Sequence, residues 1–321
     1  MGMDIRKLTQ DIIDGYRIKR GDDLSLLLSA DLDTLLGLSG EIQRHFRGNH
    51  ADLCTIINAR SGRCGEDCKY CAQSKRHSTG IEEYSFLPKE EIVKNAKAND
   101  KAGVNRFAVV TSGRALSGAE FEEALAAFRE MRRETNLGLC ASLGLLTRER
   151  FRRLRAVGVT RYHHNIETSR RFFPEICSTH TYDDRIRTIE TAKEEGFEIC
   201  SGGIIGMGET WEDRIDMAVS LAEMGIMSIP INALIAIKGT PLEGREPLSA
   251  EEILRSVALF RFVNPEADAR LAAGRALFGD GGAKAFTGGA SAAITGNMLT
   301  TGGANVRDDI ELMKRLGMTN R

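Results

Sequence analysis

With 44 Lys plus Arg against 45 Asp plus Glu over 321 residues, a formal charge of -1, the chain has no bulk attraction for nucleic acid or an anionic membrane, and its expected partner is a small molecule. That length suits one large barrel or two domains. The opening MGMDIRKLTQ lacks the apolar run of a signal peptide, no stretch reaches the ~20 apolar residues of a membrane span, and seven cysteines, an odd number, suit free thiols in a reducing cytoplasm.

Residues 1–50 place apolar side chains at helical spacing (Ile12, Ile13 and Tyr16; Leu24, Leu27 and Leu28; Leu35, Leu36 and Ile42) without strand-like alternation. They predict an N-terminal helical extension, with the main domain over 51–321. From Cys54 onward a unit of roughly 30 residues recurs, made of a short β-rich run, a polar loop and an amphipathic helix. The runs are 54–58, 106–110, 138–143, 161–165, 198–202, 227–233, 269–272 and 289–295. Helix starts between them carry capping pairs: Ser117 with Glu120, Thr181 with Asp184, Thr210 with Asp213, and Ser249 with Glu252. Eight alternating units predict an α/β fold, a TIM-type (β/α)8 barrel, whose active site lies at the C-terminal ends of the strands.

The loop after the first run reads CGEDCKYC, so Cys64, Cys68 and Cys71 stand in a C-x3-C-x2-C pattern. Three thiolates this close can grip one cluster, and a four-iron cluster held by three would leave one iron open to an outside ligand. Tyr70 offers a ring to pack on a planar ligand beside it. A structural zinc site of the Cys3His type, with His77 as fourth ligand, is the competing reading.

Polar residues on or just after the later runs, Cys140, His163, His164, Asn165, Glu167, Cys200 and Asn232, would converge on one axis. In RYHHNIET (161–168), His164 is either a core residue or a ligand. Asn165 and Glu167 alternate onto one strand face, where an amide and a carboxylate suit a urea-like group and a ribose diol. The glycines of CSGGIIGMGET (200–210) would let backbone approach a ligand, and a dinucleotide site there lacks its usual acidic residue. The basic run RERFRRLR (148–155), without interleaved aromatics, reads as a solvated helix face. Cys54, Cys140, Cys177 and Cys200 are either buried packing or cluster ligands, and three of them fall in the first, third and fifth strands, which contribute to a common interior layer. A buried Arg270 in the seventh strand needs an anionic partner, which a sulfide-rich cluster would supply.

The cysteine spacing with Tyr70 resembles the radical S-adenosylmethionine (SAM) superfamily, in which the open iron chelates SAM and an electron splits it to a deoxyadenosyl radical. From about residue 50 onward, SGRCGEDCKYCAQS, HHNIETS, THTYDDRI, CSGGIIGMGET, PINALIAIKGTPL and RLAAGR, in that order, resemble the biotin synthase family. The resemblance implies a homodimeric enzyme that inserts sulfur between two unactivated carbons of dethiobiotin. It would use two SAM per turnover, sulfur from an auxiliary Fe–S cluster, and electrons from a flavodoxin or ferredoxin. It implies Cys64, Cys68 and Cys71 as ligands of the SAM 4Fe–4S cluster. Tyr70, Ser112, Asn165, Glu167 and Arg185 become SAM contacts, Arg185 at the methionine carboxylate, while Asn165 and Asn232 become dethiobiotin contacts, Asn232 at the ureido ring.

Cys140, Cys200 and Arg270 match three of the four ligands of the family's 2Fe–2S cluster, but the fourth position is Ala108. Cys54 stands where better-known members have a small hydroxyl residue near the ligating arginine, and its strand is expected beside that of Ala108. The resemblance thus points to the branch with a four-iron auxiliary cluster on Cys54, Cys140 and Cys200, with Arg270 as ligand or hydrogen-bond donor. Cys177, in the loop after the fourth strand, is the other candidate. His163 stands where the family often has Asn. The rival readings are a hydrogenase-cofactor maturase-like or methylornithine synthase-like radical SAM enzyme, and a non-catalytic Fe–S carrier or scaffold.

Overall fold

The computed structural model describes residues 4–296 and 305–320. Its strands are β1 (His50–Arg60), β2 (Arg106–Thr111), β3 (Gly138–Ser142), β4 (Arg161–His163), β5 (Glu198–Cys200), β6 (Gly203–Ile205), β7 (Ser228–Ala233), β8 (Asp268–Leu271), β9 (Ala292–Thr295) and β10 (Thr319–Asn320). Every pairing is parallel, and β9 returns to β1, where Cys54 lies opposite Ile294, so the sheet closes into a TIM-type barrel. β10 pairs with the first residues of β1 outside the ring. A strand such as β2 (RFAVVT) is a near-continuous apolar run because helices cover one face and the barrel interior the other.

The eight predicted runs all become barrel strands, with two departures. β1 starts at His50, ahead of Cys54. The fifth run is broken into β5 and β6 across Ser201 and Gly202. The physical reason is close approach: a Cβ on Gly202 would strike the carbonyl of Pro230, and one on Gly203 the carbonyl of Glu167 and the sulfur of Met217. These glycines let strand meet strand rather than backbone meet ligand, which corrects the expectation for this segment.

Three helices precede the barrel, α1 (Ile5–Ile13), α2 (Ser25–Ser29) and α3 (Leu32–Arg47). Asp4 and Asp31 cap α1 and α3 by accepting backbone N–H bonds, and α3 buries Leu35, Leu36, Leu38 and Ile42 against the helix Ala250–Val263. Of the four capping pairs, Thr181–Asp184 and Thr210–Asp213 form complete boxes, and Ser249 accepts from the Glu252 amide at 3.1 Å. Ser117 makes no capping bond; Glu120 turns instead to Arg60 at 2.5 Å and to the Phe86 amide at 3.3 Å. No helix among the described residues is long and apolar enough to cross a membrane.

Candidate active site

The loop after β1 is pinned by its own backbone. The Cys64 amide donates to the Gln73 carbonyl at 3.0 Å, the Lys75 amide to the Cys64 carbonyl at 2.8 Å, and the Cys71 amide to the Cys68 carbonyl at 2.9 Å. Ser112, at the end of β2, donates its hydroxyl to the Gly62 carbonyl at 2.7 Å and so ties the loop to the barrel rim. Cys64, Cys68 and Cys71 are free thiols lining one cavity of about 390 Å³, together with Tyr70 and Ser112. Burial pushes the Cys71 thiol up to about 11, and the bond to Cys177, then burial, raises Cys68 further; bound iron would deprotonate such thiols as it ligates them.

His77 does not line the cavity that these cysteines share, and its Nδ1 faces the Cys71 backbone carbonyl at 2.9 Å. At this end of the cavity the histidine beside a thiol is His180, whose Nδ1 lies 3.3 Å from Cys177 Sγ. Cys177 Sγ in turn lies 3.8 Å from Cys68 Sγ. Cys68, Cys177 and His180 therefore form a compact donor group, and Cys177 belongs to the loop-cysteine end, not with the strand cysteines as expected for an auxiliary ligand. Glu66 holds this corner, its carboxylate accepting from Thr179 at 2.7 Å and lying 2.5 Å from His180 Nδ1.

Beside this corner the capping box of Thr181 starts the helix Tyr182–Glu194, whose Arg185 lines the same cavity. Arg185 donates to the Asn165 carbonyl at 2.9 Å and to His180 Nε2 at 3.1 Å, and pairs with Glu167 at 3.2 Å. Burial opposes its charge, but Glu167 together with Tyr70, Cys68 and Cys177 outweighs it, so Arg185 stays protonated. Asn165 and Glu167 do meet, Nδ2 to Oε2 at 3.3 Å, yet not by strand alternation. β4 ends at His163, and Glu167 turns back through a left-handed φ of 69°, a strained state for a residue with a Cβ.

The two amides flank the break in the fifth strand. Asn165 Oδ1 accepts from the Gly202 amide at 3.1 Å; Asn232 donates to the Gly203 carbonyl at 3.0 Å and accepts from the Ala273 amide at 3.2 Å. His164 is buried, with Nε2 unpartnered, its ring stacked on Tyr162 at 6.3 Å and its pKa driven well below normal by burial, so it is a neutral core residue at the cavity edge. The glycine loop that follows binds its own anion: the amides of Gly206, Met207 and Gly208 donate to the Glu209 carboxylate at 2.7, 2.8 and 3.1 Å, which leaves no cradle for a dinucleotide phosphate.

Deeper in the same cavity lie Cys54, Ala108 and Cys140, a small cluster of their own on β1, β2 and β3, with Ala108 in register between Ile56 and Cys140. Cys54 and Cys140 share a hydrogen bond, and that bond with Arg161 and Arg106 favours Cys140 as the thiolate against burial. Cys200 completes the set. Burial disfavours its ionisation, but the bond and charge of His163, with Arg270 and Arg161, bring it down to about 6.

Sequence reasoning missed what holds Arg270. Its partner is the Asp52 carboxylate at 3.2 Å, with the Asp52 and Ala293 carbonyls at 3.0 and 3.2 Å and Ser228 Oγ at 3.3 Å. A cluster is thus not its only anion, although its Nη2 makes no hydrogen bond. Asp52 also pairs with Arg106 at 2.9 Å and Arg161 at 3.4 Å. The only hint in the sequence is that each residue sits near the start of a strand. Three soft thiol donors beside a buried guanidinium with a spare N–H fit a sulfide-rich cluster; the Ala108 methyl offers no ligand.

The Radical SAM superfamily model matches residues 59–221, and the Biotin and Thiamin Synthesis associated domain matches 230–319. The first brings with it a 4Fe–4S cluster and SAM. Biotin synthase of Alkaliphilus metalliredigens is 53% identical over 98% of this chain and 99% of its own length, and that of Clostridium beijerinckii 51% over 98% and 100%. Among solved structures, methylornithine synthase superposes with a TM-score of 0.84 over 98% of this chain and 97% of its own, at 20% identity. The [FeFe]-hydrogenase maturase HydG of Carboxydothermus hydrogenoformans superposes at 0.76 over 98% and 78%, at 17% identity. At such identities these two likenesses show the fold alone, whereas the near-full-length identity near one half decides the family. The chain belongs to the biotin synthase family of radical SAM enzymes.

Proposed function

We propose that the chain converts dethiobiotin to biotin, using two SAM and sulfur from an auxiliary Fe–S cluster. The observation that carries this reading is the continuity of one cavity, which joins three loop cysteines at the rim to three strand cysteines at the floor, with Asn165 and Asn232 between them. A C–H bond on a saturated chain has no acidity for a side-chain base to use. When bound, the 4Fe–4S cluster with SAM supplies a deoxyadenosyl radical, and the auxiliary cluster supplies sulfur.

The residues bind, orient and shield. Cys64, Cys68 and Cys71 would hold the SAM cluster. Arg185 presents a guanidinium to the methionine carboxylate, Glu167 accepts the ribose hydroxyls, and Tyr70 and Ser112 border the same ligand. Asn232 and Asn165 match a ureido ring with donors and acceptors held by backbone bonds to the broken strand. Ile56, Val110, Ile204 and Ile294 line the space between and exclude water from the reacting carbon. Cys54, Cys140 and Cys200 would hold the auxiliary cluster, in a four-iron form because Ala108 removes the usual fourth thiol, with Arg270 as ligand or donor. A flavodoxin or ferredoxin would supply electrons to a homodimer in the cytoplasm, with residues 1–50 as an extension outside a catalytic barrel of 51–321.

The test is an anaerobic single turnover with dethiobiotin, SAM and reductant on protein whose iron and sulfide have been counted. About eight irons per chain and biotin as product are expected, dropping to about four irons without biotin in Cys54→Ala. Deoxyadenosine without biotin from the unaltered chain would overturn the substrate assignment. Full auxiliary iron in Cys54→Ala would overturn that ligand.

A further inference from the structure

A second cavity, of about 740 Å³, opens at the other end of the barrel, where the strands begin. Asp52, near the start of β1, and Arg106, Arg161, Glu198, Ser228 and Asp268, the first residues of five other strands, line it. Arg161 also lines the reaction cavity and sits opposite Cys140 in the β3–β4 register, so one guanidinium forms the partition between the two spaces.

The charges in this partition do not balance. Arg106, Arg161 and Arg270 share the carboxylates of Asp52 and Glu198, while Asp268 is committed to Arg47 at 2.9 Å. Over the cavity lining, Arg47, Arg106, Arg161 and Lys193 face Asp52, Glu198 and Asp268, so one positive charge is in excess. Arg270, 1% exposed, closes the partition from the reaction-cavity side, its Nη2 paired with Asp52 at 3.2 Å. A concave, partly desolvated space with surplus positive charge concentrates small anions.

We propose that this basal cavity is an anion port that admits hydrosulfide to the floor formed by Cys54, Cys140 and Cys200. The inference rests on the reading that sulfur held at that floor is consumed in turnover. Sulfur then returns from the strand-start end, past Arg106 and Arg161, while SAM and its cluster occupy the rim. The port only binds and passes the anion; no bond is made or broken in it.

Holoenzyme that has completed one turnover is given ferrous iron and radiolabelled sulfide under anaerobic conditions, and the initial rate of protein-bound label is followed. Met227, half exposed and lining the port, contributes nothing to the reaction cavity, so Met227→Trp obstructs entry without touching chemistry. It is expected to slow uptake about ten-fold, and Lys193→Glu about three-fold with a weaker dependence on ionic strength, both with undiminished biotin in the first turnover. Uptake at the unaltered rate in both variants would overturn the port. Absence of first-turnover biotin from the unaltered chain would instead overturn the function on which it rests. Independently, holoenzyme crystals soaked in hydroselenide should show anomalous density between Arg106 and Arg161; density confined to the substrate end refutes the route.

Discussion

Replacing Asp52 with Asn removes one charge and almost no volume from the base of the barrel. Its Oδ2 lies 2.9 Å from Arg106, 3.2 Å from Arg270 and 3.4 Å from Arg161. Arg106 and Arg161 would retain Glu198 at 3.6 and 3.1 Å, but Arg270, with 2% of its side chain exposed, would keep no carboxylate within ion-pair distance among the described residues. At an effective permittivity near 20 each close pair carries about 5 kcal/mol of attraction. Desolvation and repulsion among three guanidiniums cancel most of that, and removal of one partner from a buried pair leaves a loss of about 3–5 kcal/mol. With an unfolding entropy of about 2.1 cal/mol/K per residue, 321 residues give about 0.7 kcal/mol/K, so the melting midpoint should fall by about 4–7 °C. Burial raises the Asp52 pKa, but Arg270, Arg106 and Arg161 hold it well below the usual carboxylate range. Its contribution is therefore complete above the unfolded value of about 3.9 and is lost as pH falls through the lower folded value. Anaerobic scanning calorimetry should find the same deficit throughout roughly pH 6–8. A drop under about 2 °C, or a deficit that varies across that range, would refute the electrostatic account.

Asp309→Asn breaks the paired bonds at 2.6 and 2.7 Å that tie Arg275 to the helix Val306–Arg315, and about 3 kcal/mol of local stability should go with them. Hydrogen exchange in that helix should accelerate selectively; unchanged protection would contradict the anchor. Tyr162→Phe leaves the buried Leu143 amide without its 3.3 Å acceptor and the Gly144 carbonyl without its donor, a cost of about 1–3 kcal/mol read as a lower denaturant midpoint. Ala108→Cys places a fourth thiol between Cys54 and Cys140, so the Mössbauer spectrum of the auxiliary iron should change while that of the SAM cluster stays fixed. An unaltered auxiliary spectrum would mean that the cluster does not face β2.

What the sequence made legible was local or repetitive. The eight runs, the capping signals at Thr181, Thr210 and Ser249, and the spacing of Cys64, Cys68 and Cys71 depend on residues within a few positions of one another. Even the neighbourhood of Cys54, Ala108 and Cys140 could be anticipated, because consecutive strands of a barrel lie side by side. What stayed hidden depends on closure. Asp52 acquires its arginines from β2, β4 and β8 only when the sheet rolls up, and Cys177 meets Cys68 only because the loop after β4 folds over the loop after β1. The split of the fifth strand was hidden too, because its cause is the backbone of Pro230 and Glu167, remote from Gly202 and Gly203 in the chain.

That split fixes the chemistry open to position 165. Where the strand is interrupted, the side chain of Asn165 stands in for a missing backbone acceptor at the Gly202 amide while its other end donates to Glu167. Aspartate would keep the acceptor but set two carboxylates against each other, leucine would satisfy neither neighbour, and glutamine would overshoot by a methylene. Wall and proposed ligand contact are thus one amide, so a change of substrate preference is expected to be reached at other positions, with Asn165 held constant.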